Sequence, residues 1–440
     1  MNPDEVEKFH TVIINNDECK VLQMLQEGID VNADLNFKSP LGTAVECDHT
    51  RIAGRLIDHG ADVNKADKFL KFPLITASQR GNVELVRMLL KAGANHKLKR
   101  LNGNTPLHES VSRGHVDVVR QLLLMGSDIN QTNNGKETPL HLACLAGNTH
   151  IVKVLIESGA NVNATVGKDG VSPIHLAAFR GSAEIVELLI NNGAPVDTMK
   201  GDDCRTPLHI ASIKNCIEVA RLLLRNNCSV DALSMGQNEA KTPLIQAVEF
   251  DNVGIIDLLI DAGVDIDVGD YHGVTPLISA IFKSNARVVV RLVRANCDVN
   301  KPSTNGLSPL DAALMRNEFN IVKILLLAGC SVRKCELVEL EKLDSDLINV
   351  KDREEIFSFV CCPSRLLHLC RKAILEKLGH LPCHKMRNLP LPVNLKKYLT
   401  FPEFEEKNLY PFDVEEQDEL CIQRKQDDTP ANAAVNFYFS

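Results

Sequence analysis

Four histidines recur at one register of this chain, in Thr105-Pro106-Leu107-His108, Thr138-Pro139-Leu140-His141, Ser172-Pro173-Ile174-His175 and Thr206-Pro207-Leu208-His209. An imidazole near a hydroxyl could in principle take the proton of a nucleophile. These four form no triad, and recurrence at one repeat position suits a structural hydrogen bond between neighbouring hairpins instead. Two other fragments fail on spacing: His108-Glu109 lacks the second histidine of a metalloprotease helix, and Gly135-Lys136-Glu137-Thr138 lacks the upstream glycine of a phosphate loop. The richest metal-like set is Cys361, Cys362, His368, Cys370, His380, Cys383 and His384. It lacks two clean ligand pairs, so no metal is expected. The sequence offers no catalytic residue and no cofactor motif, and the chain reads as a non-enzyme.

The elements that carry these residues are periodic. Ser/Thr-Pro-Leu-like units place prolines at 40, 73, 106, 139, 173, 207, 243, 276 and 309, at intervals of 33 to 36 residues, which is the ankyrin period. Each unit continues through small residues such as Ala177-Ala178, a glycine or asparagine turn, a second helix such as Ile185-Val186-Glu187-Leu188-Leu189, and Gly193-Ala194. Proline early in a first helix loses no amide partner, and glycine takes the left-handed turn. Ile75, Ile245, Ile278 and Asp311 replace the histidine in other copies. The spacing predicts an all-α solenoid with nine repeats, at about 36–65, 69–98, 102–131, 135–164, 169–198, 203–232, 239–268, 272–301 and 305–334. A degenerate half-repeat over 10–35, with Val21, Leu22, Leu25 and Gly28, is expected to cap the N-terminal side. Leu337, Leu340, Leu343 and Leu347 among many acids read as a short helical linker over 335–360.

Beyond it, residues 361–402 read as a docking device. Pro363-Ser364 can start a helix and Gly379 can end it, while Leu366, Cys370 and Ile374 recur every fourth residue on one face. Leu369 and Ala373 widen that apolar stripe, and Arg371, Lys372, Glu376 and Lys377 occupy the solvated side. The prolines of Leu389-Pro390-Leu391-Pro392 fix an extended conformation, and a short apolar helix with Leu395, Tyr398 and Leu399 is expected to follow. About forty residues bury too little surface to fold alone, so this segment must find its core on the preceding domain and on other proteins.

The Leu366, Cys370, Ile374 spacing followed by Leu389 to Pro392 resembles a SOCS box, an Elongin C-binding motif before a cullin-5-binding motif. Joined to the repeats, residues from about 10 to 400 are identified as those of a member of the ankyrin repeat and SOCS box family. The resemblance implies a substrate receptor of a cullin-RING ubiquitin ligase. Leu366, Leu369, Cys370, Ala373 and Ile374 would bind Elongin C, which brings Elongin B. Leu389 to Pro392, with Leu395, Tyr398 and Leu399, would bind cullin-5 and its RING subunit. The rival reading is an ankyrin scaffold whose C-terminal helices only cap the array.

Composition fits that picture. No apolar run approaches the eighteen residues of a membrane span, and the acidic Met1-Asn2-Pro3-Asp4-Glu5 is unlike a signal peptide. Fourteen cysteines without a regular frame suit reduced thiols in the cytosol or nucleus. Residues 401–440 hold ten acids against three bases, a charge of -7 out of the chain's -8, so the body is nearly neutral and nucleic-acid binding has no electrostatic support. The segment 403–440 reads as a disordered acidic tail.

A protein substrate would meet the concave side of the array. The two residues before each helix-to-helix turn are Gln79-Arg80, Ser112-Arg113, Leu145-Ala146, Phe179-Arg180, Ile213-Lys214, Glu249-Phe250, Phe282-Lys283 and Met315-Arg316. One column is largely basic and the other turns apolar, which would suit a partner with acidic residues beside apolar anchors. Arginine as common repeat filler is the competing reading. Around Phe69, Leu70 and Phe72 the expected glycine and threonine are missing, and Lys65, Lys68, Lys71, Lys97, Lys99 and Arg100 crowd two fingertips. That irregularity reads as a docking patch or as repeat decay.

Overall fold

The computed structural model describes residues 3–167, 170–201, 203–236 and 240–331. The linker, the Leu366 helix, the Leu389 segment, the cysteine and histidine set at 361–384 and the acidic tail lie outside the described residues. Two compact units divide the chain. One comprises Met1–Ser279 and Pro302–Gly306, the other Ala280–Lys301 and Leu307–Ser440.

The first unit is a succession of helix pairs. They are α1 (Pro3–Ile14) with α2 (Glu18–Gln26), α3 (Pro40–Glu46) with α4 (Thr50–Asp58), α5 (Pro73–Arg80) with α6 (Val83–Lys91), and α7 (Pro106–Arg113) with α8 (Val116–Leu124). There follow α9 (Pro139–Ala146) with α10 (Thr149–Glu157), α11 (Pro173–Arg180) with α12 (Ala183–Asn191), α13 (Pro207–Lys214) with α14 (Ile217–Arg225), and α15 (Pro243–Glu249) with α16 (Val253–Asp261). Helix α17 (Pro276–Phe282) straddles the division, and the second unit continues through α18 (Ala286–Arg294), α19 (Pro309–Met315) and α20 (Phe319–Leu327). The N-terminal cap is fuller than a half-repeat. Helix α1 precedes the degenerate unit and buries Phe9, His10 and Ile13.

From α3 on, each first helix starts at proline, behind a hydroxyl residue everywhere except at α5, where Phe72 takes that place. Thr105, Thr138 and Thr206 accept from the backbone N–H of the histidine three residues on. The same ring returns the bond, its Nδ1 accepting from the Thr105, Thr138, Ser172 or Thr206 N–H at 3.1–3.3 Å. Such a reciprocal cap satisfies amides that the first turn otherwise leaves open. In the second unit Asp311 performs this role with a carboxylate, accepting from the Ser308 N–H at 2.9 Å while Ser308 Oγ accepts from the Asp311 N–H at 3.0 Å. The departures from histidine are therefore of three kinds, since Ile245 and Ile278 keep only the half that runs from their backbone to a threonine and Ile75, behind Phe72, keeps neither.

Turns between paired helices need a left-handed residue. Gly81 supplies one at φ +81°, and a Cβ there would also collide with the His115 ring, which is held by its Nε2 bond to Gln79 O at 2.9 Å. Between helix pairs the chain runs out as fingers, three of which close with isolated bridges, Leu35 to Lys38, Val166 to Val171 and Lys200 to Arg205. The fingers are stitched to one another at one register. Asn32, Asn64, Asn130, Asp197 and Asp231 accept from the backbone N–H of Asp62, Asn95, Asn161, Ser229 and Asp265, at 2.8–3.1 Å. The second unit repeats the device between Asn300 and Ser331 at 2.7 Å.

Candidate protein-docking surface

Polar groups at the base of the central fingers are consumed by the fold. The Nε2 of His108, His141, His175 and His209 donates to Glu137 O, Val171 O, Thr198 O and Lys241 O in the next finger, at 2.8–3.2 Å. With Nδ1 receiving an N–H and Nε2 giving one, both nitrogens are committed to a neutral tautomer. Burial accordingly pushes all four imidazoles down to about 4, against the pull of the accepting carbonyls. None can act as a base at an open surface. Burial likewise raises the Cys144 thiol and pushes Cys228 up to about 12, which leaves both inert near neutrality. Among the described residues no group of three or more His, Cys, Asp or Glu could hold a metal. No helix among them is long and apolar enough to cross a membrane.

What remains open is a column at the ends of the first helices. Arg80, Arg113, Arg180 and Lys214 are exposed at the last residues of α5, α7, α11 and α13, while Leu145, Phe179 and Ile213 beside them are half-buried. The structure joins this column in steps. Arg180 lies across Gly147, and Lys214 Nζ stands 4.3 Å from the centre of the Phe179 ring, a cation-π contact between successive repeats. Phe282 and Lys283 are exposed in the second unit.

Three of the cations expected on the fingertips also serve the fold, the first being Lys65, whose Nζ donates to Asn32 O at 2.8 Å and pairs with Asp34 at 2.9 Å. Lys99 Nζ donates to Thr132 O at 2.9 Å, bridging adjacent fingers. Arg100 turns inward to Glu109, Nη1 to Oε1 at 3.4 Å, where Asn104 donates at 3.0 Å and Gln79 donates to the other oxygen at 2.7 Å. Glu109 is buried in α7 at a place that Leu142, Leu176 and Ile210 fill in later repeats. A buried carboxylate demands these donors, so Arg100 is held by the fold before any partner arrives. Phe69, Leu70 and Lys71, by contrast, sit at the finger before α5 with both apolar side chains exposed. Sequence reasoning missed their companions Phe37, Leu101, Met199, Met235 and Tyr271, large side chains exposed on other fingers. Alignment on the prolines would have found them, because each lies within eight residues upstream of one.

Comparison with known families agrees with this architecture. The model described as Ankyrin repeats (3 copies) matches residues 65–133, 121–200, 164–234, 195–270 and 244–334, and the Ankyrin repeat model matches 36–68. The SOCS box model matches residues 362–400. No curated protein matched the chain. A SOCS box behind ankyrin repeats is the arrangement of cullin-RING ligase substrate receptors in general, an assembly of interaction modules that brings Elongin B/C and a cullin to a target. With ankyrin matches over more than half of its length and a SOCS box after them, the chain belongs to the ankyrin repeat and SOCS box family.

Proposed function

We propose that this chain is the substrate-recognition subunit of an Elongin B/C, cullin-5 and RING ubiquitin ligase of the cytosol or nucleus. The observation that carries the reading is the SOCS box match at 362–400, following ankyrin repeats that run to 334. In this reading Leu366, Cys370 and Ile374, widened by Leu369 and Ala373, enter Elongin C. The Leu389 to Pro392 segment, with Leu395, Tyr398 and Leu399, selects cullin-5. The repeats hold the target, the exposed basic column from Arg80 to Lys214 steering acidic groups toward half-buried Leu145, Phe179 and Ile213.

The mechanism is proximity. A target held beside a charged ubiquitin-conjugating enzyme meets it at high effective concentration, so this chain supplies binding energy and orientation but no reacting atom. Changing Leu366 and Cys370 together to serine is expected to abolish Elongin B/C capture, a loss of about 2 kcal/mol or more at an interface centre, with the repeat helicity intact. Capture by the double variant at wild-type strength would overturn the reading. Replacing Leu389 to Pro392 by alanines should leave Elongin capture and weaken pull-down of cullin-5.

A further inference from the structure

One register of the fingers, three residues before the proline, takes a positive φ ahead of eight of the nine repeat prolines. Glycine fills it at Gly103, Gly170, Gly273 and Gly306, as a tight finger requires, while Lys136 at φ +62° and Cys204 at φ +47° hold it with side chains that are not large and apolar. In the first two fingers the same place holds Phe37 at φ +66° and Leu70 at φ +51°. A large side chain in the left-handed region costs roughly 1 kcal/mol, and neither ring nor leucine recovers it by burial, being 67% and 41% exposed. Phe69 and Leu101 stand exposed on the second and third fingers, at 51% and 63%. Three consecutive fingertips thus present large apolar groups to solvent, Phe69 with the Lys68 ammonium 5.0 Å from its ring centre.

The surrounding charge is one-sided. Each nearby acid is engaged: Asp34 with Lys65 at 2.9 Å, Glu46 with Lys38 at 2.6 Å, Glu109 with Arg100, and Asp67 with the N–H groups of Phe69 and Lys71. Lys68, Lys71 and Lys97 are left with no carboxylate partner among the described residues. Behind the first two fingers a small cleft opens between α3 and α5, lined by Ser39, Thr76, Lys71 and the Lys38–Glu46 pair. Hydroxyls and paired charges behind, with cations lacking a carboxylate partner and apolar tips in front, complement a chain that carries carboxylates and one or two large apolar side chains.

We propose that fingertips one to three are the docking site for an acidic peptide segment with a large apolar anchor. This deepens the substrate-receptor reading and rests on its premise that the repeats capture protein. The apolar side chains of the segment pack on Phe37, Phe69, Leu70 and Leu101, and its carboxylates face Lys68, Lys71 and Lys97.

The test is selection of a displayed random peptide library on the full-length chain, followed by affinity measurement on the Phe37→Gly, Leu70→Gly double variant. Glycine relieves both positive φ angles, so this variant is expected to melt at the same or a higher temperature. Enriched peptides are expected to be rich in Asp and Glu around Phe, Leu, Met or Tyr, and to bind the variant at least tenfold more weakly. Enrichment of neutral or basic peptides, equal affinity for the variant, or no enrichment at all would overturn the proposal. So would binding to vesicles of anionic lipid that the variant loses in the absence of any selected peptide. Elongin B/C capture, measured on the same two preparations, is expected to be equal. Its absence in both would sink the ligase reading while leaving the peptide result to stand or fall by itself.

Discussion

The repeats that contain α7, α9, α11 and α13 differ from those that contain α3 and α5 in where they spend their polar groups. In the former, the first turn of every first helix carries a histidine whose two ring nitrogens are both bonded, one to its own cap and one to the next finger. In the latter that register holds Gly42 and Ile75, and Phe72 caps α5 without a side-chain bond. The later repeats use side chains to fasten finger to helix, whereas the earlier ones leave strained apolar tips in solvent. A solenoid permits this division because each repeat is stabilised by its neighbours, so a weak repeat can persist beside strong ones.

The largest expected effect is on pH. The four imidazoles have native values near 4 against about 6.5 in the unfolded chain, so between these limits the unfolded state binds more protons. Stability from these groups is complete above pH 6.5 and is lost as pH falls toward 4. Each withdraws up to about 3 kcal/mol of stability by the time pH 4 is reached. The repeats containing α7 to α14 should therefore open first on acidification, read as amide-exchange protection followed from pH 7 to 4.5. If exchange at α3 to α6 rises ahead of them, the contrast drawn from the histidines fails.

A single substitution sharpens the same point. His141→Ala removes the acceptor of the Thr138 N–H and the donor to Val171 O, both buried, and leaves a void under the finger. A loss of about 2–4 kcal/mol is expected in a urea titration. Leaving the denaturant midpoint within error of the wild type would show that the imidazole ladder is ornamental.

The periodicity made most of this legible before any coordinate was known. Proline at the first turn, glycine at the left-handed turn and a histidine recurring at one register each have a single local cause, so spacing alone assigns them. Glu109 was illegible for the opposite reason. Its burial depends on Gln79 from the preceding repeat and on Arg100 and Asn104 from a finger, contacts that no local pattern encodes. Phe37 escaped because it stands out only when the fingers are aligned on their prolines, where it takes a place that glycine holds in other repeats, and its φ of +66° then marks the cost. The exposed cations of the helix ends and fingertips were readable as a set of positions. Their division into ones left in solvent such as Arg113 and structural ones such as Arg100 was not, since that depends on which acids the fold buries.

The smallest effect isolates the early fingers. Leu70→Gly is expected to raise stability by up to about 1 kcal/mol, because the left-handed strain exceeds what an exposed leucine returns. The reciprocal change one finger along, Gly103→Leu, should cost more than that gain, since a Cβ at Gly103 collides with Asn134 as well as straining the backbone. Thermal melts of the two variants, measured beside the wild type, should move in opposite directions. A lower melting temperature for Leu70→Gly would mean that the leucine is part of the core after all, and strain at the tips would then say nothing about binding.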